Sequence, residues 1–151
     1  METSTVLLQS AVAAPLVAGV LVALAKSAPL AARKTLAFFG FAVPCVLALV
    51  LCCTFVANKD AGTGYAFVSD VEWLGIPSLG FWLKLGLNGI SLPLFTMAAI
   101  VGFAAGLRAL WTQNIKHPTL YYTMLLLIEL GVLGLFASVD IFSFYIFHEF
   151  A

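Results

Sequence analysis

Two glutamates of this chain lie where a carboxyl group is costly, because Glu129 and Glu149 each fall inside a long apolar run. An acid in hydrocarbon must be paired, hydrated or protonated, so its presence is in itself a hypothesis of function. In general, desolvation favours the neutral form of an acid, whereas a nearby cation or water favours the anion. A small change in the surroundings of such a carboxyl group therefore adds or removes its proton. The chemistry that these residues predict is proton transfer within a membrane.

A second titratable group adjoins Glu149. His148 precedes it directly, and Tyr145 lies nearly one helical turn before His148, on the same face of a helix. We expect His148 to face protein or water rather than lipid, and we treat it as a candidate neighbour in the proton pathway. Either glutamate could instead be a structural group, hydrogen-bonded to a serine or a backbone carbonyl, and this alternative is more open for Glu129 than for Glu149.

The sequence offers little for metal, redox or nucleotide chemistry. One histidine and one glutamate do not make a metal ligand set. The cysteines follow no CxxC or Cys/His spacing and no iron–sulfur or haem signature; they are Cys45, Cys52 and Cys53. A glycine-rich phosphate loop is also absent from the sequence. We therefore expect this chain to bind no cofactor and no metal.

The composition requires a membrane around these residues. Hydrophobic residues make up 63% of the chain and charged residues 9%, with a mean hydropathy of +1.10. A globule of 151 residues could not hide so much apolar surface, so lipid must be its solvent. The formal net charge is zero, which gives no support for a nucleic-acid partner. We predict an all-α integral membrane protein.

Apolar runs of about twenty residues, each enough to cross about 30 Å of hydrocarbon, define the helices. We predict one membrane domain with four spans and a shorter fifth helix, at approximately residues 6–25, 35–57, 88–107, 119–137 and 141–151. Asn88 or Ser91 could cap the third helix. Ala98, Gly102 and Gly106 recur every four residues within it, which allows another helix to approach closely.

The long connection at residues 58–84 carries a different pattern. Aromatic and branched residues at 65–68 and 80–85 are separated by the turn sequence of Gly75 to Ser78. This pattern predicts a small β-hairpin or a pair of extended segments at the membrane interface. A lone hairpin is marginally stable in water, so we expect it to lean on the membrane helices or on a partner.

Helix geometry places the two glutamates at a similar depth. Glu129 lies ten residues after Thr119, which corresponds to about 15 Å along the fourth helix. Asp140 is a suitable N-cap for a fifth helix that runs back, and Glu149 follows it by nine residues, or about 14 Å. The sequence therefore predicts two carboxyls near the midplane, on adjacent antiparallel helices.

Basic residues set the orientation. The two short connections hold Lys26, Arg33, Lys34, Arg108 and Lys116. Because lysine and arginine are enriched in cytoplasmic loops, these connections are predicted to be cytoplasmic. The N-terminus and the long connection would then lie outside.

Residues 125–151, LLLIELGVLGLFASVDIFSFYIFHEFA, resemble a signature of the large antiporter-like subunits of respiratory NADH:quinone oxidoreductase (complex I), in particular chain M, the counterpart of mitochondrial subunit 4. The segment Leu85–Pro93, LGLNGISLP, is similar to the family's LGxDGISLP. The resemblance covers essentially the whole chain and is strongest from Leu85 onward.

The resemblance implies a proton-translocating subunit, placed by its family in a bacterial plasma membrane beside other antiporter-like membrane subunits. NADH, FMN, iron–sulfur clusters and quinone would act in partner subunits. By position, Glu149 would be the key glutamate of the fifth helix, working with a lysine on a later helix. Glu129 matches a glutamate often found on the fourth helix.

The chain departs from the family pattern in three respects. Asn88 replaces an aspartate, and His148 replaces a tryptophan beside Glu149. The family's subunits are also several times longer, so we expect an N-terminal part of a larger subunit. Three alternatives stay open: a subunit of a multi-subunit cation/proton antiporter, a subunit of a membrane-bound hydrogenase, and a structural membrane scaffold.

Overall fold

The computed structural model describes residues 2–57, 64–76 and 81–151. Over these residues the chain is mostly helical, with one pair of strands between the second and third helices. The elements in chain order are α1 (Glu2–Leu24), α2 (Leu30–Ala57), β1 (Ala66–Ile76), β2 (Phe81–Leu87), α3 (Ser91–Trp111), α4 (Pro118–Ala137) and α5 (Ile141–Phe150). Among the described residues, α1 to α4 are the helices long and apolar enough to span a membrane. The predicted all-α membrane fold is confirmed.

At the basic connections, α2 begins before its predicted span and α3 ends after its own. The loop predicted from the sequence includes Arg33 and Lys34, but α2 begins at Leu30 and includes both. The guanidinium of Arg33 donates to Thr119 Oγ1 at 2.6 Å, and the Lys34 ammonium donates to the carbonyl oxygen of Leu110 at 2.7 Å. These bonds join the start of α2 to the start of α4 and the end of α3. They give both cations polar partners within the helical conformation.

The caps of the later helices follow the sequence prediction. Asn88 Oδ1 accepts from the backbone N–H of Ser91 at 2.7 Å, and Ser91 Oγ accepts from the N–H of Asn88 at 2.9 Å. This reciprocal pair satisfies donors that the first turn of α3 leaves unpaired. Asp140 Oδ2 accepts from Ser143 N–H at 3.4 Å at the start of α5.

Glycines let the helices of the bundle approach one another. A Cβ atom at Gly40 of α2 would overlap Ala18 of α1 and Leu126 of α4. On α3, a Cβ atom at Gly106 would overlap the ring of Phe41. The predicted close approach along the small-residue face of α3 is therefore present, and α2 and α4 are the helices that pack against α3.

Strands β1 and β2 form the predicted antiparallel hairpin. Asp70 pairs with Lys84 and Val71 with Leu83, with irregular register on either side of this central part. The strands are longer than predicted, and β1 runs through Gly75 to Ile76, where we had placed the turn. Because β1 pairs with β2, it continues through Asp70 and Glu72, which lie outside both predicted segments. Residues 77–80, the remainder of the predicted turn region, lie outside the described residues.

The hairpin leans on the membrane helices, as expected. The N–H of Val139 donates to the carbonyl oxygen of Lys84 at 3.2 Å, and Leu85 forms an antiparallel bridge with Ser138. Side chains of β2 are buried in a core shared with α1 to α5; they are Leu83, Leu85 and Leu87. The hairpin is thus fixed to the short turn between α4 and α5.

Candidate functional site

Glu129 lies inside the bundle, on the face of α4 that packs against α3. Its side chain is only 5% exposed. The carboxyl occupies the space where a Cβ atom of Gly102 would otherwise be. On α2, the thiol of Cys45 lies close enough to interact electrostatically with this carboxyl. Glu129 is therefore buried where α4 packs against α3, with α2 within electrostatic range.

The carboxyl of Glu129 is incompletely satisfied. Its Oε1 atom is buried and has no hydrogen-bond partner among the residues that the structure describes. A buried polar atom without a partner is uncommon in proteins and calls for an explanation in each case.

Glu149 and His148 occupy a different environment. Both side chains lie on the exposed face of α5, and Tyr145 on the same helix is 60% exposed. The imidazole of His148 stacks against the ring of Phe144, with centroids 6.3 Å apart and an interplanar angle of 27°. The described helices leave this face uncovered, so a group on another element could reach Glu149.

Glycines of α4 set how α5 packs. A Cβ atom at Gly131 would overlap the backbone of Phe150 and Ala151, and one at Gly134 would overlap the ring of Phe147. Gly131 follows Glu129 by two residues, and Phe150 follows Glu149 directly. The two glutamates therefore lie at similar heights on adjacent antiparallel helices. Their side chains are not brought together, because one is buried between α2, α3 and α4 and the other is exposed on α5.

The sequence does not identify two residues near Glu129, namely Gly102 as its neighbour on α3 and Cys45 on α2 within electrostatic range. The spacing of small residues marks Gly102 only as part of a helix-packing face. Its depth could have connected it to Glu129, since both lie near the middle of consecutive antiparallel helices. No group of three or more candidate metal ligands is found among the described residues.

Known proteins resemble this chain along most of its length, although no family model matches it. NAD(P)H-quinone oxidoreductase chain 4 1 of Picosynechococcus sp. is 31% identical over 143 residues, which is 94% of this chain. F(420)H(2) dehydrogenase subunit M of Methanosarcina mazei is 33% identical over 93 residues, or 61% of this chain. A chain in the structure of the membrane-bound sulfane sulfur reductase, an archaeal respiratory membrane complex, has the same fold, with a TM-score of 0.73 over 95% of this chain at 19% identity.

The membrane fold with four candidate spans and these relatives together define a class, the antiporter-like membrane subunits related to those of complex I. Within it, the chain belongs to the family of the chain 4 and subunit M proteins. The chain spans 26% of the length of the first of these relatives, 18% of the second, and 28% of the chain of known structure.

Proposed function

We propose that this chain is part of a proton-translocating membrane subunit of an NADH:quinone oxidoreductase. The observation that carries the proposal is the placement of Glu129 and Glu149 at similar heights within a helical membrane domain of the chain 4 type. Carboxyls at such a depth commonly mark proton relays in pumps and transporters.

The two glutamates take different parts in this proposal. Glu149, on an exposed face, exchanges a proton with a cationic group supplied by a neighbouring helix, such as the lysine that the family resemblance implies. Glu129, enclosed by three helices, serves as a second proton-carrying group at a similar height. His148 is the titratable neighbour of Glu149 on the same face of α5.

Electron transfer belongs, in this proposal, to other subunits of the complex. NADH, FMN, iron–sulfur clusters and quinone would act there, and this chain would contribute the membrane pathway for protons. Its partners are adjacent antiporter-like membrane subunits and lipid. The names of the relatives support membership in a multi-subunit complex, since they are subunits of NAD(P)H-quinone oxidoreductase and of F(420)H(2) dehydrogenase.

The proposed location is a bacterial plasma membrane with the N-terminus outside. The bias of lysine and arginine supports this orientation. Arg33, Lys34 and Arg108 lie near the ends of α2 and α3 that meet at one side of the bundle. The hairpin packs at the opposite side, beside the turn between α4 and α5.

Replacement of Glu149 by glutamine in the complete subunit, assembled in its complex, tests the proposal. We expect NADH-driven proton uptake into inverted membrane vesicles to be abolished, because glutamine keeps the shape of the side chain but cannot carry a proton. The measurements are the pH gradient, from a fluorescent dye, and quinone-linked NADH oxidation in the same vesicles.

Asp140→Asn is the matched control, since it removes an acid from the start of the same helix and keeps a side chain that caps well. We expect this variant to pump like the parent protein. Unchanged proton uptake in Glu149→Gln, at an equal level of assembled complex, would contradict the proposal and favour a structural scaffold. Exchange of protons for sodium ions that does not depend on NADH would favour a cation/proton antiporter.

A further inference from the structure

Gly102 differs from the other glycines of the bundle in what it contacts. At Gly106, one turn along α3, the absent Cβ makes room for the aromatic ring of Phe41. At Gly131 and Gly134 of α4, it makes room for residues of α5. At Gly102 alone among the described glycines, the absent Cβ makes room for an acidic group, the carboxyl of Glu129.

A Cβ atom at residue 102 would overlap severely with the end of the Glu129 side chain. The carboxyl carbon and both oxygens of Glu129 are the nearest atoms to the position that a Cβ would occupy. Since Glu129 is 5% exposed, the carboxyl has little free volume into which it could move. A methyl group at residue 102 must therefore turn or withdraw the carboxyl.

One oxygen of the Glu129 carboxyl, Oε1, has no hydrogen-bond partner among the described residues. Cys45 on α2 lies within electrostatic range of the carboxyl, and a thiol forms at most a weak hydrogen bond. The position of the carboxyl is thus determined largely by the shape of the space around it, and Gly102 forms one wall of that space.

We propose that Gly102 is a positioning residue, whose missing side chain sets the orientation and height of the Glu129 carboxyl between α2, α3 and α4. The consequence for transport rests on the proposed function, in which Glu129 carries a proton. The positioning of the Glu129 carboxyl by Gly102 does not depend on that proposed function. Proton transfer requires donor and acceptor to be within hydrogen-bond reach, so a displaced carboxyl transfers its proton poorly.

The substitution Gly102→Ala, in the complete subunit within its complex, tests this inference. We expect the infrared carboxyl band of Glu129, assigned as the band that Glu129→Gln removes, to shift. We also expect NADH-driven proton uptake to fall roughly tenfold, since a misplacement of about 1 Å can cost up to about a hundredfold in rate.

Two further variants make the test specific. Gly106→Ala introduces the same methyl group on the same face of α3, but against Phe41, so it should leave the carboxyl band unchanged. Gly102→Ala combined with Glu129→Asp shortens the acid by one methylene, which withdraws the carboxyl from the new methyl group. We expect this double variant to transport protons better than Gly102→Ala alone, and to assemble even where Gly102→Ala does not.

The outcomes separate the inference from the proposed function. An unshifted carboxyl band in Gly102→Ala overturns the inference, as does equal loss of proton uptake in Gly102→Ala and Gly106→Ala without improvement in the double variant. A shifted band with normal proton uptake supports the positioning by Gly102 but contradicts the role of Glu129 in transport. If Gly102→Ala fails to assemble and the double variant fails too, Gly102 serves general packing and the inference is wrong.

Discussion

Glu129 and Glu149 show how much a single residue's surroundings depend on tertiary structure. The sequence predicts their similar depth, because rise per residue and helix ends suffice for that calculation. It does not predict that Glu129 is buried while Glu149 is exposed on the described helices. That distinction depends on which face of each helix meets a neighbour, and α4 is apolar on all sides, so its sequence does not mark an inner face.

For the same reason, the sequence does not identify the residues that lie next to Glu129. The spacing of Ala98, Gly102 and Gly106 indicated that something approaches α3, but spacing within one helix cannot name the approaching group. By contrast, caps are local. Asn88 and Asp140 were correctly predicted as capping residues, because a cap joins residues only a few positions apart.

Loss of the Asp140 cap should destabilise the protein measurably. Asp140→Ala removes the acceptor for the N–H of Ser143, and N-cap replacements by alanine cost about 1 kcal/mol. We expect a lower midpoint of thermal denaturation for the purified subunit in detergent. The midpoint is measured from the loss of near-ultraviolet circular dichroism on heating. Asp140→Asn should retain most of the stability, and an equal loss in both variants would show that charge, not capping, matters there.

At the scale of elements, the positions of the helices were predictable and their ends were less so. Hydropathy identifies the part of a helix inside lipid, whereas hydrogen bonds and basic side chains decide how far it continues beyond. Arg33 and Lys34 illustrate this point, since each bonds to a residue far away in sequence. The hairpin was likewise predicted from its pattern of residues, but its docking onto Ser138 and Val139 was not.

The packing of α5 on α4 should be sensitive to a single methyl group at Gly131. A Cβ there would lie 2.5 Å from the backbone nitrogen of Ala151, and backbone cannot move aside as a flexible side chain can. We expect Gly131→Ala to lower the thermal stability of the assembled subunit, by roughly 1–3 kcal/mol as for other overpacked sites.

Gly89→Ala is the control for Gly131→Ala, because a Cβ atom at Gly89 would have nothing within 4 Å. We expect its thermal denaturation midpoint to match that of the parent protein. Equal midpoints for Gly131→Ala and the parent would show that α5 can shift without cost and would contradict the described packing.

For the whole molecule, the described residues form two buried apolar clusters, and the helices also expose broad apolar surfaces. Large hydrophobic side chains are exposed on α1 to α5, as expected for helices that face lipid or other membrane helices. The uncovered face of α5 that carries Glu149 belongs to this surface. The sequence predicted the class of fold because composition and run length define it, while the arrangement of α1 beside α4 required the structure.

The orientation can be tested with single cysteines in a variant whose native cysteines are replaced by alanine. Tyr65→Cys lies just before the hairpin at an exposed position, and Lys116→Cys lies in the connection between α3 and α4. In right-side-out vesicles, a membrane-impermeant maleimide should label Tyr65→Cys and spare Lys116→Cys, with the reverse result in inverted vesicles. The opposite pattern would overturn the proposed orientation.

The bridge between Leu85 and Ser138 has a consequence for the order of assembly during synthesis. The hairpin leaves the ribosome before α3 and α4, yet its docking site is the turn that follows α4. The bridge can therefore close only after both of these helices have entered the membrane and the turn has reached the hairpin's side. Its closure joins segments distant in sequence and marks the moment at which α3 and α4 are correctly threaded.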